Sequence, residues 1–224
     1  MPSAHYSRRK PANSGRGRLW PDELALASLL VFRLMHDIAA SAGAVGNGIE
    51  MLREEAGAGD PTALDDLEFS ARETLRRLEF FRLAFGAAGG LGVRQPLDEA
   101  REKTRAFFDG RKVKADWPAG ASTDAPQPVV KLALNLLLLW AESLPRGGTV
   151  SVALDERWLG VTAAGNGATL SDEKKAALAG SPTALNARLV QAYYAGALAR
   201  SLGVTIGNET MTDRLMLSAA LPMG

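Results

Sequence analysis

Residues 22–54 read DELALASLLVFRLMHDIAASAGAVGNGIEMLRE, and their periodicity decides the architecture of the N-terminal third. Ala27, Val31, Leu34, Ile38, Val45, Ile49 and Leu52 recur at steps of three, four and seven, the spacing of one helical face. Trp20-Pro21-Asp22-Glu23 supplies the start, with proline near the first helical position and acids where the helix dipole favours negative charge. A second seam follows in Leu64, Leu67, Ala71, Leu75, Leu78, Phe81 and Phe85. Asp60 opens it as N-cap, with Pro61 at the first helical position. Only Gly57-Ala58-Gly59 intervenes, so the spacing predicts an antiparallel helical hairpin. Two helices cannot enclose a core, yet apolar side chains run the length of both seams. A second copy completing a four-helix bundle is therefore expected, which makes the chain a homodimer.

The hairpin ends at a break. Residues 84–93, AFGAAGGLGV, hold four glycines within seven positions, so a linker is expected there. The chain then divides into a basic tail over 1–18, rich in Pro, Gly and Ser and expected to be disordered, a helical hairpin over 19–88, and a second domain over 89–224. Beyond the break the pattern predicts a helix near 96–108, a strand near 113–117 and a long helix over 128–144, closed by Pro145-Arg146-Gly147-Gly148. TVSVALD and WLGVTAA read as paired strands, followed by helices over 171–179 and 183–202. VTIGNE and RLMLSAAL read as a final hairpin. A mostly antiparallel sheet with helices on one face makes the chain α+β, a helical hairpin followed by an α/β sandwich.

Composition narrows the chemistry. The 26 Lys and Arg nearly balance 25 Asp and Glu over 224 residues, which gives no general electrostatic reason for nucleic acid as a partner. Absence of cysteine excludes disulfides, thiolate catalysis and cysteine-ligated metals. Two histidines, His5 and His36, cannot build a histidine-rich metal centre, and no metal site is expected in this chain. The apolar run around Leu132 to Ala141 is interrupted by Asn135 and too short for a bilayer, so no membrane span is expected. No apolar segment of signal-peptide type follows the N-terminal Arg8, Arg9, Lys10, Arg16 and Arg18, which leaves the cytoplasm as the expected location.

His36 is the residue that points to function. At about 100° per residue it faces roughly 170° away from the centre of the apolar seam. Ala40, Gly43 and Asn47 continue its stripe along the helix, and Leu29 and Phe32 flank it as apolar neighbours. A glycine inside a helix costs about 1 kcal/mol relative to alanine, and this helix holds Gly43, Gly46 and Gly48. A lone helical histidine is ordinarily a tolerated surface residue. One bordered by a shaved surface and two apolar anchors fits a docking site for a folded partner. A neutral imidazole nitrogen is a good nucleophile near pH 7, and Asp37 beside it can orient the ring or accept its proton.

His36-Asp37 on the first of two helices resembles the dimerisation and phosphotransfer domain of sensor histidine kinases, whose motif begins His-Glu/Asp. The Thr or Asn that this family places four positions on, to position water for dephosphorylation, is Ala40 here, and the adjacent proline is Ser41. The second half resembles the ATP-binding domain of the same kinases in order but not in chemistry. In LNLLLLWAE, Asn135 matches the first asparagine of the N-box, but Leu139 stands where the magnesium-binding one belongs. Ala163-Ala164-Gly165-Asn166-Gly167 resembles the Asp-x-Gly-x-Gly box with its adenine-reading aspartate replaced by Ala163. Residues 183–190, where a glycine-rich phosphate loop would lead into a helix, contain no glycine.

That combination is similar to the ChpT family of histidine phosphotransferases over about residues 22–222. The resemblance implies a Bergerat-like second domain that binds no ATP. It implies a homodimer whose His36 takes a phosphoryl group from the receiver domain of a hybrid histidine kinase and passes it to the receivers of response regulators. No cofactor belongs to the chain itself, and Mg2+ is expected to come with the receiver. Leu29, Phe32, Arg33, Ala40, Gly43, Asn47 and Arg82 are the expected docking surface, the two arginines being chosen for an acidic partner. Two alternatives stay open. An ATP-dependent kinase would need asparagine at 139, aspartate at 163 and glycines near 183. A non-catalytic dimeric scaffold would leave His36-Asp37 on its cleared face without a role.

Overall fold

The computed structural model describes residues 23–54, 61–86, 93–120, 122–211 and 213–221. The basic tail, the Trp20-Pro21-Asp22 start, the 57–60 connection with its cap, and residues 87–92 of the glycine-rich break lie outside the described residues. Two long helices, α1 (Glu23–Glu54) and α2 (Pro61–Phe85), pack against each other. Their contact uses only part of each seam. Leu34, Ile38, Val45 and Leu52 of α1 and Leu67 and Ala71 of α2 are half-buried. Val31, Leu64 and Leu75 stay 57%, 61% and 59% exposed, with Ala27, Ile49 and Leu78 also open to solvent.

Helix α1 also bears on the expectation of no membrane span. The helix Leu24–Arg53, with an 18-residue window of mean hydropathy 1.5, is long and apolar enough to cross a bilayer by length and composition alone. The leucines, Val31, Phe32 and Ile38 of its first half carry that apolar character, and Arg33, His36 and Asp37 interrupt it.

The α/β part begins with β1 (Arg94–Pro96), which pairs antiparallel with β3 (Asp124–Pro126). Helix α3 (Leu97–Phe108) and strand β2 (Val113–Asp116) lie between them in sequence, and α4 (Gln127–Ala141) follows. Strands β4 (Gly148–Leu154) and β5 (Trp158–Ala164) come next, then α5 (Asp172–Leu178), α6 (Val190–Ser201), β6 (Gly207–Met211) and β7 (Arg214–Ala220). The main sheet runs β2-β4-β5-β7-β6, with β2 and β4 parallel and every other pair antiparallel. Alternation sets its inner face: Val150, Val152, Leu159, Val161, Ala163, Leu215, Leu217 and Ala219 are buried. Opposite them α4 is buried almost all round, because the sheet, α6 and the end of α2 each take one of its sides. Each fully buried leucine of α4 stabilises the fold by about 1.5–3 kcal/mol. Trp140 adds a hydrogen bond from its Nε1 to Val161 O at 2.6 Å.

The hairpin is fastened to this core by its last turns. Phe80 and Ala84 are fully buried, and the Phe80 ring stacks on Phe107 of α3 at 4.2 Å between centroids. Three boundaries differ from the sequence expectation. The helix expected from 183 starts only at Val190, because Asn186 Oδ1 accepts from the backbone N–H of Arg188 (2.9 Å) and Leu189 (3.2 Å) and holds a turn instead. The long helix ends at Ala141 rather than 144, and the strand expected at 204–209 is shifted to 207–211. Strands β1 and β3 had no sequence signal, being three residues each and ending in proline.

Candidate functional site

Helix α1 presents His36 to solvent midway along its length. Around it lies a groove of about 540 Å3, walled on one side by Phe32, Arg33, His36 and Asp37 of α1. The opposite wall comes from the α/β domain: Glu142 just past α4, Lys174 on α5, and Ala187 and Arg188 of the turn before α6. The two walls are tied by charge. The Arg33 guanidinium hydrogen-bonds Glu142, approaches Asp37 Oδ2 at 3.6 Å and reaches Ala187 O at 3.5 Å. Lys174 Nζ takes the other oxygen of Glu142 at 2.9 Å. From behind, Arg77 Nη1 of α2 donates to Asp37 O at 2.7 Å, while its Nε pairs with Glu73 at 3.0 Å. Three cations against two carboxylates line the groove, a balance that favours an acidic visitor.

Phe32 is 62% exposed at the edge of the groove and Leu29, a turn earlier, is half-buried. Ala40, Gly43 and Asn47 are exposed further along α1, and no Cβ at Gly43 would meet any atom within 4 Å. Of the two arginines singled out in the sequence, Arg33 lines the groove and Arg82 does not. The α2 arginine whose side chain reaches the histidine's neighbourhood is Arg77, five positions before Arg82 and on another side of the helix. Glu142, Lys174 and Arg188 had no signal in the sequence, because only the tertiary fold brings them to α1.

Of the residues of the degenerate boxes, Asn135, Leu139 and Ala163 sit in the core, Gly165 is half-buried and Gly167 is exposed. Asn135 is fully buried; its Nδ2 donates to Ala84 O (2.9 Å) and Lys131 O (2.8 Å), and its Oδ1 accepts from Gln191 Nε2 (2.6 Å). Leu139 and Ala163 are buried hydrocarbon. Gly165 is required by a close approach: a Cβ there would lie 2.6 Å from Gly147 O. Gly167 holds φ at +75°, a conformation natural to glycine. Among the described residues no group of three or more His, Cys, Asp or Glu side chains gathers to hold a metal ion.

A family profile described as the histidine phosphotransferase C-terminal domain matches residues 97–214. The chain is 34% identical over 203 residues to the protein phosphotransferase ChpT of Brucella abortus (strain 2308), covering 88% of this chain and 95% of that one. A solved structure described as a 1.7 Å structure of a bacterial phosphotransferase matches with a TM-score of 0.76 at 33% identity, over 88% of this chain and 97% of that one. The Acinetobacter baumannii histidine kinase AdeS matches at 12% identity with a TM-score of 0.44, over 84% of this chain and 98% of that one.

Proposed function

Because the chain belongs to the histidine phosphotransferase family that includes ChpT, we propose that it shuttles a phosphoryl group between receiver domains on His36, without ATP. The observation that carries this reading is the groove itself. An exposed histidine stands between two walls, one from each part of the fold, with Asp37 and Arg33 beside it and an excess of positive charge. A ring nitrogen of His36 attacks the phosphorus of the donor receiver's aspartyl phosphate. The N–P bond forms as the acyl P–O bond breaks, and its electron pair returns to the donor carboxylate. The acceptor receiver's aspartate reverses the step, leaving a neutral imidazole. Asp37 orients the ring and favours a proton on the nitrogen that does not react. Positioning and charge dominate such a transfer, and the Mg2+ that offsets the charge of the moving group comes with the receiver.

Independence from ATP is supported by what Leu139 and Ala163 offer a nucleotide, namely hydrocarbon where the kinases place a metal ligand and a hydrogen-bond acceptor. The uncovered seam of Val31, Leu64, Leu75 and Leu78 supports a homodimer through a four-helix bundle, in the cytoplasm where receivers operate.

Radiolabelled phosphate tests the proposal. The protein is given labelled ATP alone, then prephosphorylated receivers, beside His36→Ala. Label acquired only from a receiver and absent from the variant is expected. Labelling of His36 by ATP alone would make the protein a kinase. Failure of a broad receiver panel to label it would leave a dimeric scaffold.

A further inference from the structure

A second cavity, of about 510 Å3, opens between the helical hairpin and the α/β domain. It shares Arg33, Asp37 and Glu142 with the histidine groove, but His36 is not among its lining residues. Nor are Leu139, Ala163, Gly165 or Gly167, so it is not the remnant of a nucleotide site. Its size falls in the range of small-molecule sites, about 300–1,000 Å3.

The walls are aromatic: Phe81 and Phe85 from α2, Phe107 and Phe108 from α3. Over one of these rings lies the Arg111 guanidinium, 3.9 Å from the Phe107 centroid. Arg111 Nη2 pairs with Glu73 at 2.8 Å, and Arg77 Nε shares the same carboxylate oxygen. One carboxylate thus serves two guanidinium groups; Arg33 and Lys112 add positive charge to the lining and Asp37 and Glu142 oppose it, so four cations stand against three carboxylates, Glu73 included. Burial, and secondarily the charge of Arg77, pulls the Arg111 pKa below its ordinary value, with Glu73 opposing. Positive charge here is partly withdrawn from water and incompletely compensated.

Two buried polar atoms of this lining have no hydrogen-bond partner, Arg111 Nε and Gln191 Oε1. Gln191 is completely buried. Its orientation is set by its neighbour: both Nδ2 protons of Asn135 go to carbonyls, so Asn135 Oδ1 must accept, and Gln191 must turn its NH2 toward it. That leaves Oε1 as an unused acceptor. Each is a polar group that the packing behind the cavity wall leaves unsatisfied, and neither atom is open to the cavity itself.

We propose that this cavity binds a small amphipathic anion: a planar ring system against the phenylalanines and a carboxylate, sulfonate or phosphate on the guanidinium groups of Arg111 and Arg77. The proposal does not rest on the phosphotransfer reading, although the cavity shares Arg33, Asp37 and Glu142 with the histidine groove.

Anilinonaphthalene sulfonate, which carries fused rings, one N–H and one anionic group, is a suitable probe, with the uncharged N-phenylnaphthylamine as its control. Fluorescence titration of the full-length protein should show one saturable dye site per chain. The neutral analogue should bind at least about tenfold more weakly, the worth of a charge-assisted hydrogen bond. Arg111→Gln should weaken the dye by a similar factor. Ala141→Phe, which fills the cavity without removing any polar group, should do the same while unfolding as cooperatively as wild type. Met211→Gln, exposed on β6 and far from both helices of the hairpin in sequence, should leave binding unchanged. Absence of saturable binding, equal affinity for the neutral analogue, or undiminished binding by a folded Ala141→Phe would each overturn the proposal. Should Arg111→Gln fail to fold, Ala141→Phe and the neutral analogue decide.

Discussion

Asn135 joins three helices through one side chain: Ala84 O at the end of α2, Lys131 O on its own helix, and Gln191 on α6. Asn135→Leu keeps the branching at Cγ but strands the Ala84 carbonyl and the Gln191 amide in the core. Unsatisfied buried groups cost about 1–3 kcal/mol each. A loss of about 2–4 kcal/mol is therefore expected, read as a lower urea midpoint with an unchanged slope. At this scale the sequence showed the exposure of His36, because a helical angle needs only the seam and the residue number. It did not show why Asn135 is present, since its partners lie 51 and 56 positions away. Nor could it separate Arg77 from Arg82, because both are arginines on a helix of alternating charge.

Helix α1 carries its glycines unequally. A Cβ at Gly43 or Gly46 would meet nothing within 4 Å, whereas one at Gly48 would lie 3.2 Å from Leu67 Cδ1. Gly46→Ala should thus raise stability by up to about 1 kcal/mol, and Gly48→Ala by less. Gly43→Ala should stabilise equally in thermal melts. On the proposed docking stripe, however, its added methyl group should slow phosphotransfer from the receiver several-fold (of order 1 kcal/mol of lost contact). The opposite face of the hairpin makes its own prediction. Val31→Glu or Leu75→Glu removes no intramolecular contact of consequence, since both side chains are more than half exposed. Light scattering should find the mass falling from twice 23.7 kDa to 23.7 kDa with helicity unchanged. Element types were legible wherever periodicity ran long, as in α1, α2, β4, β5 and β7. They failed where a side chain overrode the local pattern: Leu185 and Leu189 have helical spacing, but Asn186 captures two backbone N–H groups and delays α6.

Across the whole molecule the hairpin and the α/β domain meet through several contacts, among them the Asn135 bond to Ala84 and ion pairs of α2 with Lys103, Asp109 and Arg111, and two of the contacts are of opposite kinds. One is the stack of Phe80, Phe107 and Phe108, buried and dispersive. The other is the line of Asp37, Arg33, Glu142 and Lys174 beside the histidine. Glu142→Ala should leave the folding free energy within about 1 kcal/mol of wild type, as expected for partly exposed ion pairs. It frees one wall of the groove from the other, and kcat/KM for the receiver should fall about three- to tenfold, on the scale of one such pair's coupling. None of this was legible beforehand, because the groove exists only once Glu142, Lys174 and Arg188 have been carried to α1 by a five-stranded sheet. These two contacts answer differently to ionic strength. At physiological salt the Debye length is about 8 Å, and further salt screens the half-exposed line of charge while sparing the aromatic stack. The stack then acts as a pivot and the charged line as a clasp. Dissolved ions, without touching the fold, set how stiffly one half of the molecule is held against the other.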